Sequence, residues 1–397
     1  MKELSRVLTK IPVSAPTMID MLVKERRAKG EEILSFCVGE PDFATPQEVS
    51  AAGIAAIENG CTKYTNPSGT AELRAAAAEA MEREYGLCYA PEQVVITTGG
   101  KYAVYAAVMA TVNPGDEVIL PAPYWPSFRP ILELAGAEIV EIPCQVDNGF
   151  KLTAAELAAA VTDKTKLLIL NNPNNPSGMV YSREELEPIA EVCRKADIYI
   201  LSDETYGHLI YDGRVFTPMA SVSDDAYART ITISGVSKTY SMTGWRIGFA
   251  AANPKIIKRM SVFLNHTTGS PCSISQEAAL CALRSGGEDT EKMRAAYEER
   301  RNVLCEALKE IPLVGYYVPE GAFYVFVDVS EAIARMPGIN DDLDFALWLL
   351  EEEYTAVVPC TDYGAPGFIR LSYTLDSTDA VDGAKRIARF IGGRLPK

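Results

Sequence analysis

Short apolar runs rich in β-favouring residues recur through the first two thirds of the chain, at 94–97, 117–120, 138–142, 166–170, 198–202, 230–233 and 247–251. Most are continuous rather than alternating, and stretches of helical composition, such as 46–60, 70–85 and the segment opening at Gly99, separate several of them. Continuous apolar strands need cover on both faces, and crossovers between parallel strands supply it as helices. The pattern therefore predicts an α/β fold around a mainly parallel sheet. Pro114-Gly115-Asp116 is a turn signal between a helix and the next strand. After about residue 285 the character changes. GGEDTEKMRAAYEERRNVLCEALKEI reads as one long amphipathic helix with Met293, Tyr297, Leu304, Leu308 and Ile311 on its apolar stripe. Strands are expected beyond it at 321–327 and 368–373, and a closing helix at 380–391. The expected organisation is an N-terminal segment 1–45 that contributes to a small domain, a large domain 46–285 and a small α+β domain 286–397.

Composition narrows the function classes. A length of 397 residues with 48% hydrophobic content suits one large domain plus a smaller one. A net charge of −15 opposes a nucleic-acid partner, which needs a basic surface. The nine cysteines are scattered singly without a CxxC pair, which fits reduced thiols. Residues 1–16 carry no apolar stretch of signal-peptide length, and eighteen apolar residues never run together. A cytoplasmic protein with no membrane or nucleic-acid partner and no metal is expected.

Polar clusters at the ends of the apolar runs carry the chemistry, since ligands in open α/β sheets bind outside the carboxyl ends of the strands. Lys238 follows the run 230–233 inside SGVSKTYSMTGWRIG, among small hydroxyl residues and eight positions before Arg246. A lysine in such a pocket can be tuned to act as an amine nucleophile and form a Schiff base. Ser234, Ser237 and Arg246 offer hydroxyl and guanidinium donors for a phosphate. Gly99-Gly100-Lys101 stands where a strand meets a helix start, a place that favours a bound phosphate or merely makes a tight turn. PAPYWPSF holds Trp125 between prolines, a setting that usually packs the ring on a core. NNPNNPSG carries Asn175, and SDETYGH carries Asp203 and Tyr206. Asn-Pro pairs commonly mark turns, and an aspartate after a strand commonly caps a helix.

Taken in order, GGK, the aromatic, NNPNNPSG, SDETY, SxxSK and the arginine resemble the class I aminotransferases, enzymes of fold type I that carry pyridoxal 5′-phosphate, and in particular the bacterial aspartate aminotransferases. The resemblance extends to almost the whole chain through VGEPDF with Gly39, TKYTNPSGT with Tyr64 and GFIRLSY with Arg370. It implies the fold of that family, a large domain with a mainly parallel seven-stranded sheet flanked by helices and a smaller α+β domain. It implies that Lys238 holds the cofactor as a Schiff base and moves the proton, with Asp203 on the ring nitrogen and Asn175 and Tyr206 on the ring hydroxyl oxygen. Gly99, Gly100, Lys101, Ser234, Ser237 and Arg246 would bind the phosphate region, Trp125 would stack on the ring, and Tyr64 would reach the phosphate of a neighbouring subunit in a homodimer with shared sites. Gly39 and Arg370 would face the substrate's α-carboxylate, and Lys101, Trp125 and Asn175 would complete the substrate site. The activity implied is ping-pong transfer of an amino group from an amino acid, aspartate first, to 2-oxoglutarate. Lys101 matches a lysine that holds the distal carboxylate in those relatives, whereas Pro16 stands where they commonly have threonine, with Thr17 adjacent. Alanine, aromatic amino acids and methionine are alternative donors, and a C–S lyase of the same fold is the alternative reaction. A nicotinamide dehydrogenase would need a GxGxxG run that the Gly99-Gly100 loop does not supply.

Overall fold

The seven apolar runs join in one sheet, in the order Val94–Thr97, Gly248–Ala251, Thr230–Gly235, Tyr199–Asp203, Thr165–Asn171, Glu117–Ala122 and Glu138–Pro143. The computed structural model describes residues 4, 6–9, 11, 13–285 and 287–396. Gly248–Ala251 runs antiparallel to both of its neighbours, and the remaining adjacent pairs are parallel. Successive side chains of the central strands enter opposite layers, as the pleat requires. Ile169 and Leu201 pack on one face with the helices Gly100–Thr111 and Pro254–Asn265, while Leu168, Leu170 and Ile200 pack on the other with Arg183–Ala196. This double cover explains the continuous apolar runs. Glu138–Pro143 departs from the expected pattern: it is an edge strand whose residues are only exposed or half-buried.

Several strands run one or two residues further at their carboxyl ends than the apolar runs suggest. Asn171 and Asp203 are the last residues of their strands, paired to each other in register. Polar side chains can stay in the ladder here because the sheet ends where a cleft begins.

A second, antiparallel sheet has the order Val358–Pro359, Phe368–Ser372, Tyr324–Asp328 and Gly315–Tyr317. The long helix Glu288–Leu308 packs on it with Met293, Tyr297, Leu304 and Leu308 buried, as its stripe predicts. Arg301 shares that buried side, which hydropathy alone does not foresee. Its guanidinium makes two 2.7 Å bonds to the Asp212 carboxylate and a third, of 2.9 Å, to the Pro319 carbonyl. The strand expected from 321 begins only at Tyr324. Gly321 and Ala322 give their N–H groups to the carbonyls of Gly178 and Leu209, and Ala322 has a positive φ of 59°, so neither joins the ladder. The N-terminal helix Ala15–Ala28 and the strand Leu34–Ser35, which pairs with Thr355–Ala356, add Ile19, Val23 and Phe36 to this second core.

Two backbones meet closely where the antiparallel strand passes the start of Gly100–Thr111. A Cβ built on Gly248 would lie 2.5 Å from the Gly100 nitrogen and 2.7 Å from the Gly99 carbonyl carbon. Neither atom belongs to a side chain that could swing away. Gly248→Ala should therefore push the helix start off the sheet and lower stability by about 1–3 kcal/mol, read as a lower urea midpoint; an unchanged midpoint would show that this approach is loose.

Candidate active site

A cleft of about 500 Å³ opens where the parallel strands end, with Asn171 and Asp203 of the first sheet on one side and Tyr324 and Arg370 of the second on the other. Strand Thr230–Gly235 runs straight into the short helix Val236–Thr239, which carries Ser237 and Lys238 into this space. The Lys238 ammonium donates to the Gly39 carbonyl oxygen and lies 5.6 Å from the centre of the Phe323 ring. Burial takes its pKa down to about 8 against the pull of the Glu40 carboxylate. Arg370 and Arg246 add to the fall, and Asp203 opposes it. Near neutral pH this side chain thus supplies far more free amine than an ordinary lysine.

Asp203 is buried, and its Oδ1 accepts the Thr205 hydroxyl at 2.6 Å and the Thr205 N–H at 3.2 Å. Burial raises its pKa, while Thr205 and the Lys238 charge counteract the rise. Its Oδ2 makes no protein hydrogen bond among the described residues. Asn175 is fixed through its backbone, which donates to Asn171 Oδ1 at 2.8 Å, and Asn171 in turn donates to the Asp203 carbonyl at 3.0 Å.

Arg370 sits on strand Phe368–Ser372, 4% exposed and without a carboxylate partner among the described residues. One Nη donates to Asn175 Oδ1 at 3.0 Å and the other to the Cys37 carbonyl at 3.1 Å, while Nε is buried with no partner among the described residues. The guanidinium lies 4.2 Å from the centre of the Tyr324 ring. Two of five N–H groups are used, and a buried cation left in that state favours an anion. Gly39 keeps the neighbouring space open, since a Cβ there would stand 3.3 Å from the Tyr324 hydroxyl and 3.9 Å from an Arg370 Nη.

Arg246 is held in the left-handed conformation at φ 58°, donates to the Thr243 carbonyl at 3.0 Å and folds back over Gly99. A Cβ at Gly99, itself at φ 82°, would lie 2.4 Å from an Arg246 Nη. The guanidinium and the unpaired N–H groups at the start of Gly100–Thr111 thus converge on one corner. Lys101 lies 5.1 Å from the centre of the Trp125 ring, with its pKa lowered by burial and by Arg246, and it has no carboxylate partner among the described residues.

Gly39, Gly100, Lys101, Trp125, Asn175, Asp203, Tyr206, Ser237, Lys238, Arg246 and Arg370 therefore line one cleft. Ser234 does not join them. It shares a face of its strand with Thr232 and lines a separate cavity of about 20 Å³ with Glu204 and His208, so the phosphate contact expected of it is corrected. Tyr64 is fully exposed and outside the cleft. The cleft also contains Thr205, Tyr324 and Glu40, which sequence reasoning passed over. Thr205 follows the local aspartate-x-threonine spacing that makes such side-chain turns. Tyr324 had no signal beyond its place in a strand, and Glu40, which accepts the Thr243 hydroxyl at 2.7 Å, had none beyond VGEPDF.

These groups fit pyridoxal 5′-phosphate, a phosphorylated aromatic aldehyde with a basic ring nitrogen. The Gly99 cradle under Arg246 suits the phosphate, the unpartnered Asp203 Oδ2 suits a cationic nitrogen, and Lys238 suits the aldehyde. The family model for aminotransferase class I and II matches residues 31–387. The chain is 40% identical to an aspartate aminotransferase of Bacillus subtilis over 98% of its own length and 99% of the relative's. It is 42% identical to an aspartate/prephenate aminotransferase of Cereibacter sphaeroides over 98% and 99%. The structure of an aspartate aminotransferase from Thermus thermophilus with maleate superposes with a TM-score of 0.92, at 38% identity over 98% of this chain and all of that one. A family match over most of the chain and a cleft built to fit the same cofactor lead to one conclusion: the chain belongs to the class I and II aminotransferases, which depend on pyridoxal 5′-phosphate.

Proposed function

We propose that this aminotransferase moves the amino group of aspartate to 2-oxoglutarate, and that Lys238 is the reacting amine. The observation that carries the substrate reading is a pair of cations, Arg370 and Lys101, that line one cleft without carboxylate partners among the described residues. Two such cations suit a substrate with two carboxylates. Of the acids that share the cleft, Asp20 pairs with Lys24 at 2.6 Å, Glu40 accepts the Thr243 hydroxyl, and Asp203 is assigned in this reading to the cofactor's ring nitrogen. Thr17, next to Pro16, lines the same cleft, and its hydroxyl lies 2.9 Å from that of Ser14. The relatives named for aspartate, and the Thermus structure with the dicarboxylate maleate, support the same choice.

Pyridoxal 5′-phosphate, when bound, supplies an electron sink conjugated to the amino acid's α-carbon. In this reading Arg246, Ser237 and the N–H groups of Gly100 and Lys101 hold its phosphate, and Trp125 covers its ring. Asp203 Oδ2 balances the charge of the ring nitrogen, and Asn175 Nδ2 and the Tyr206 hydroxyl serve its phenolic oxygen. Arg370 orients the amino acid by gripping the α-carboxylate with its three free N–H groups, beside Gly39. Lys238 Nζ, neutral often enough at pH 7 to act as a base, would take the proton from the amino acid's α-carbon and move it between that carbon and the cofactor. The second substrate is handled by the same groups in reverse order. We further propose a division near residue 285 with segment 1–45 joined to the C-terminal part, supported by the shared core of Ile19, Val23, Phe36 and the second sheet. Nine free thiols support a reducing compartment such as the cytoplasm, and no helix among the described residues is long and apolar enough to cross a membrane.

Substrate class is tested by charge removal. Lys101→Ala should raise the KM for aspartate roughly 10- to 100-fold and spare alanine, because only aspartate loses a charge partner. Arg370→Ala should damage both substrates by roughly 100-fold or more in kcat/KM, since both present an α-carboxylate. Equal loss for aspartate and alanine in Lys101→Ala would remove the aspartate assignment.

Tyr64 is proposed to complete the phosphate site of a second subunit in a two-fold dimer. Its full exposure in the single chain leaves it available for that role. Sedimentation of the active enzyme should give a dimer, and Tyr64→Phe should weaken cofactor retention; a fully active monomer would end the shared-site reading.

A further inference from the structure

Two buried hydroxyls meet at the seam between the sheets. Tyr206 Oη and Tyr324 Oη lie 2.8 Å apart, and neither has another hydrogen-bond partner among the described residues. Both side chains are more than nine-tenths buried, and both line the cleft. Edge-on contact with Phe323, at 5.4 Å between ring centres, helps to fix the Tyr206 ring. A phenol has a single proton, and one proton bridges the two oxygens, so one tyrosine donates and the other must aim its own proton elsewhere.

The two tyrosines are not equivalent. Arg370 stacks on the Tyr324 ring at 4.2 Å, close enough to stabilise negative charge on its oxygen. Burial raises the pKa of both hydroxyls, but Arg370 is the first group to oppose the rise at Tyr324, whereas Tyr206 is driven well above its ordinary value. The more acidic partner of a pair is the better donor. The charged and titratable groups packed around the pair are Arg370, Lys238, Asp203, Tyr363 and Cys37, and among the described residues none of them forms a hydrogen bond with either hydroxyl.

We propose that Tyr324 is a positioning residue that donates its proton to Tyr206 and thereby turns the Tyr206 proton into the cleft, toward the bound cofactor. A hydroxyl that accepts one hydrogen bond becomes a stronger donor in the next. Tyr324 therefore both orients and strengthens the Tyr206 donor, and its place on Arg370 ties that donor to the carboxylate site. The inference rests on the reading that Tyr206 serves the cofactor's phenolic oxygen.

The test is the pH midpoint of the absorbance change of the cofactor-loaded enzyme, because a donor to the phenolic oxygen stabilises its anion and lowers that midpoint. Tyr206→Phe should raise the midpoint by more than about one pH unit. Tyr324→Phe keeps the ring against Arg370, so it should raise the midpoint by roughly half a unit with the substrate KM changed less than about twofold. The double variant should shift no further than Tyr206→Phe alone. Replacing Tyr324 by 3-fluorotyrosine, which is the same shape but more acidic, should lower the midpoint; this arm decides the matter if Tyr324→Phe does not fold. A shift in Tyr206→Phe without one in Tyr324→Phe, or an additive double variant, overturns the proposal and leaves the reading of Tyr206 intact. No shift in either single variant overturns both.

Discussion

The arrangement depends on a buried guanidinium with no carboxylate to neutralise it among the described residues. Arg370 is held in place by the side-chain oxygen of Asn175 from the turn that follows a strand of the first sheet, the carbonyl of Cys37 from the N-terminal segment and the face of Tyr324 from its own sheet. Neutral acceptors of this kind fix its position without cancelling its charge. A folded chain tolerates such a cation where solvent or an incoming anion can reach it, and here a cleft reaches it. The same logic holds for Asp203, which is buried with one oxygen satisfied by Thr205 and the other without a hydrogen bond among the described residues. It holds again for Lys238, whose pKa falls to about 8 because burial outweighs the nearby acids.

These three groups come from segments far apart in the chain, and the sheet is what brings them together. Asn171 and Asp203 end neighbouring parallel strands, and the strand beside them leads into Lys238. Parallel strands point all their carboxyl ends the same way, so polar residues that would be scattered in another topology share one edge. The Asn175–Arg370 bond and the Lys238 contact with the Gly39 carbonyl then tie this edge to the second sheet and to the N-terminal segment. In the proposed reading this links substrate recognition to proton transfer, because Arg370 shares partners with the residues around Lys238 and Asp203.

Much of this was legible in the sequence because the fold repeats a simple unit. Apolar runs marked the strands, and the polar clusters after them marked the cleft. Eleven of the fourteen expected site residues line that cleft, and Gly99 lies directly beneath Arg246. What stayed hidden has physical causes. Ser234 looked equivalent to Ser237, but it lies in the strand on the face of Thr232, whereas Ser237 lies in the short helix that enters the cleft. Arg301 broke an apolar stripe without breaking the core, since Asp212 reaches it from a distant turn. Tyr324 could not be distinguished from any aromatic strand residue until its hydroxyl was seen against Tyr206. The last two depend on long-range pairing, which local composition does not encode.

The central claim is that Lys238 is the amine that carries the cofactor. The most direct measurement is borohydride reduction of the cofactor-loaded enzyme followed by peptide mapping. The account predicts a stable cofactor adduct on the peptide that contains Lys238, and no adduct or turnover in Lys238→Ala. An adduct on Lys101 or any other lysine, with Lys238 unmodified, would contradict it.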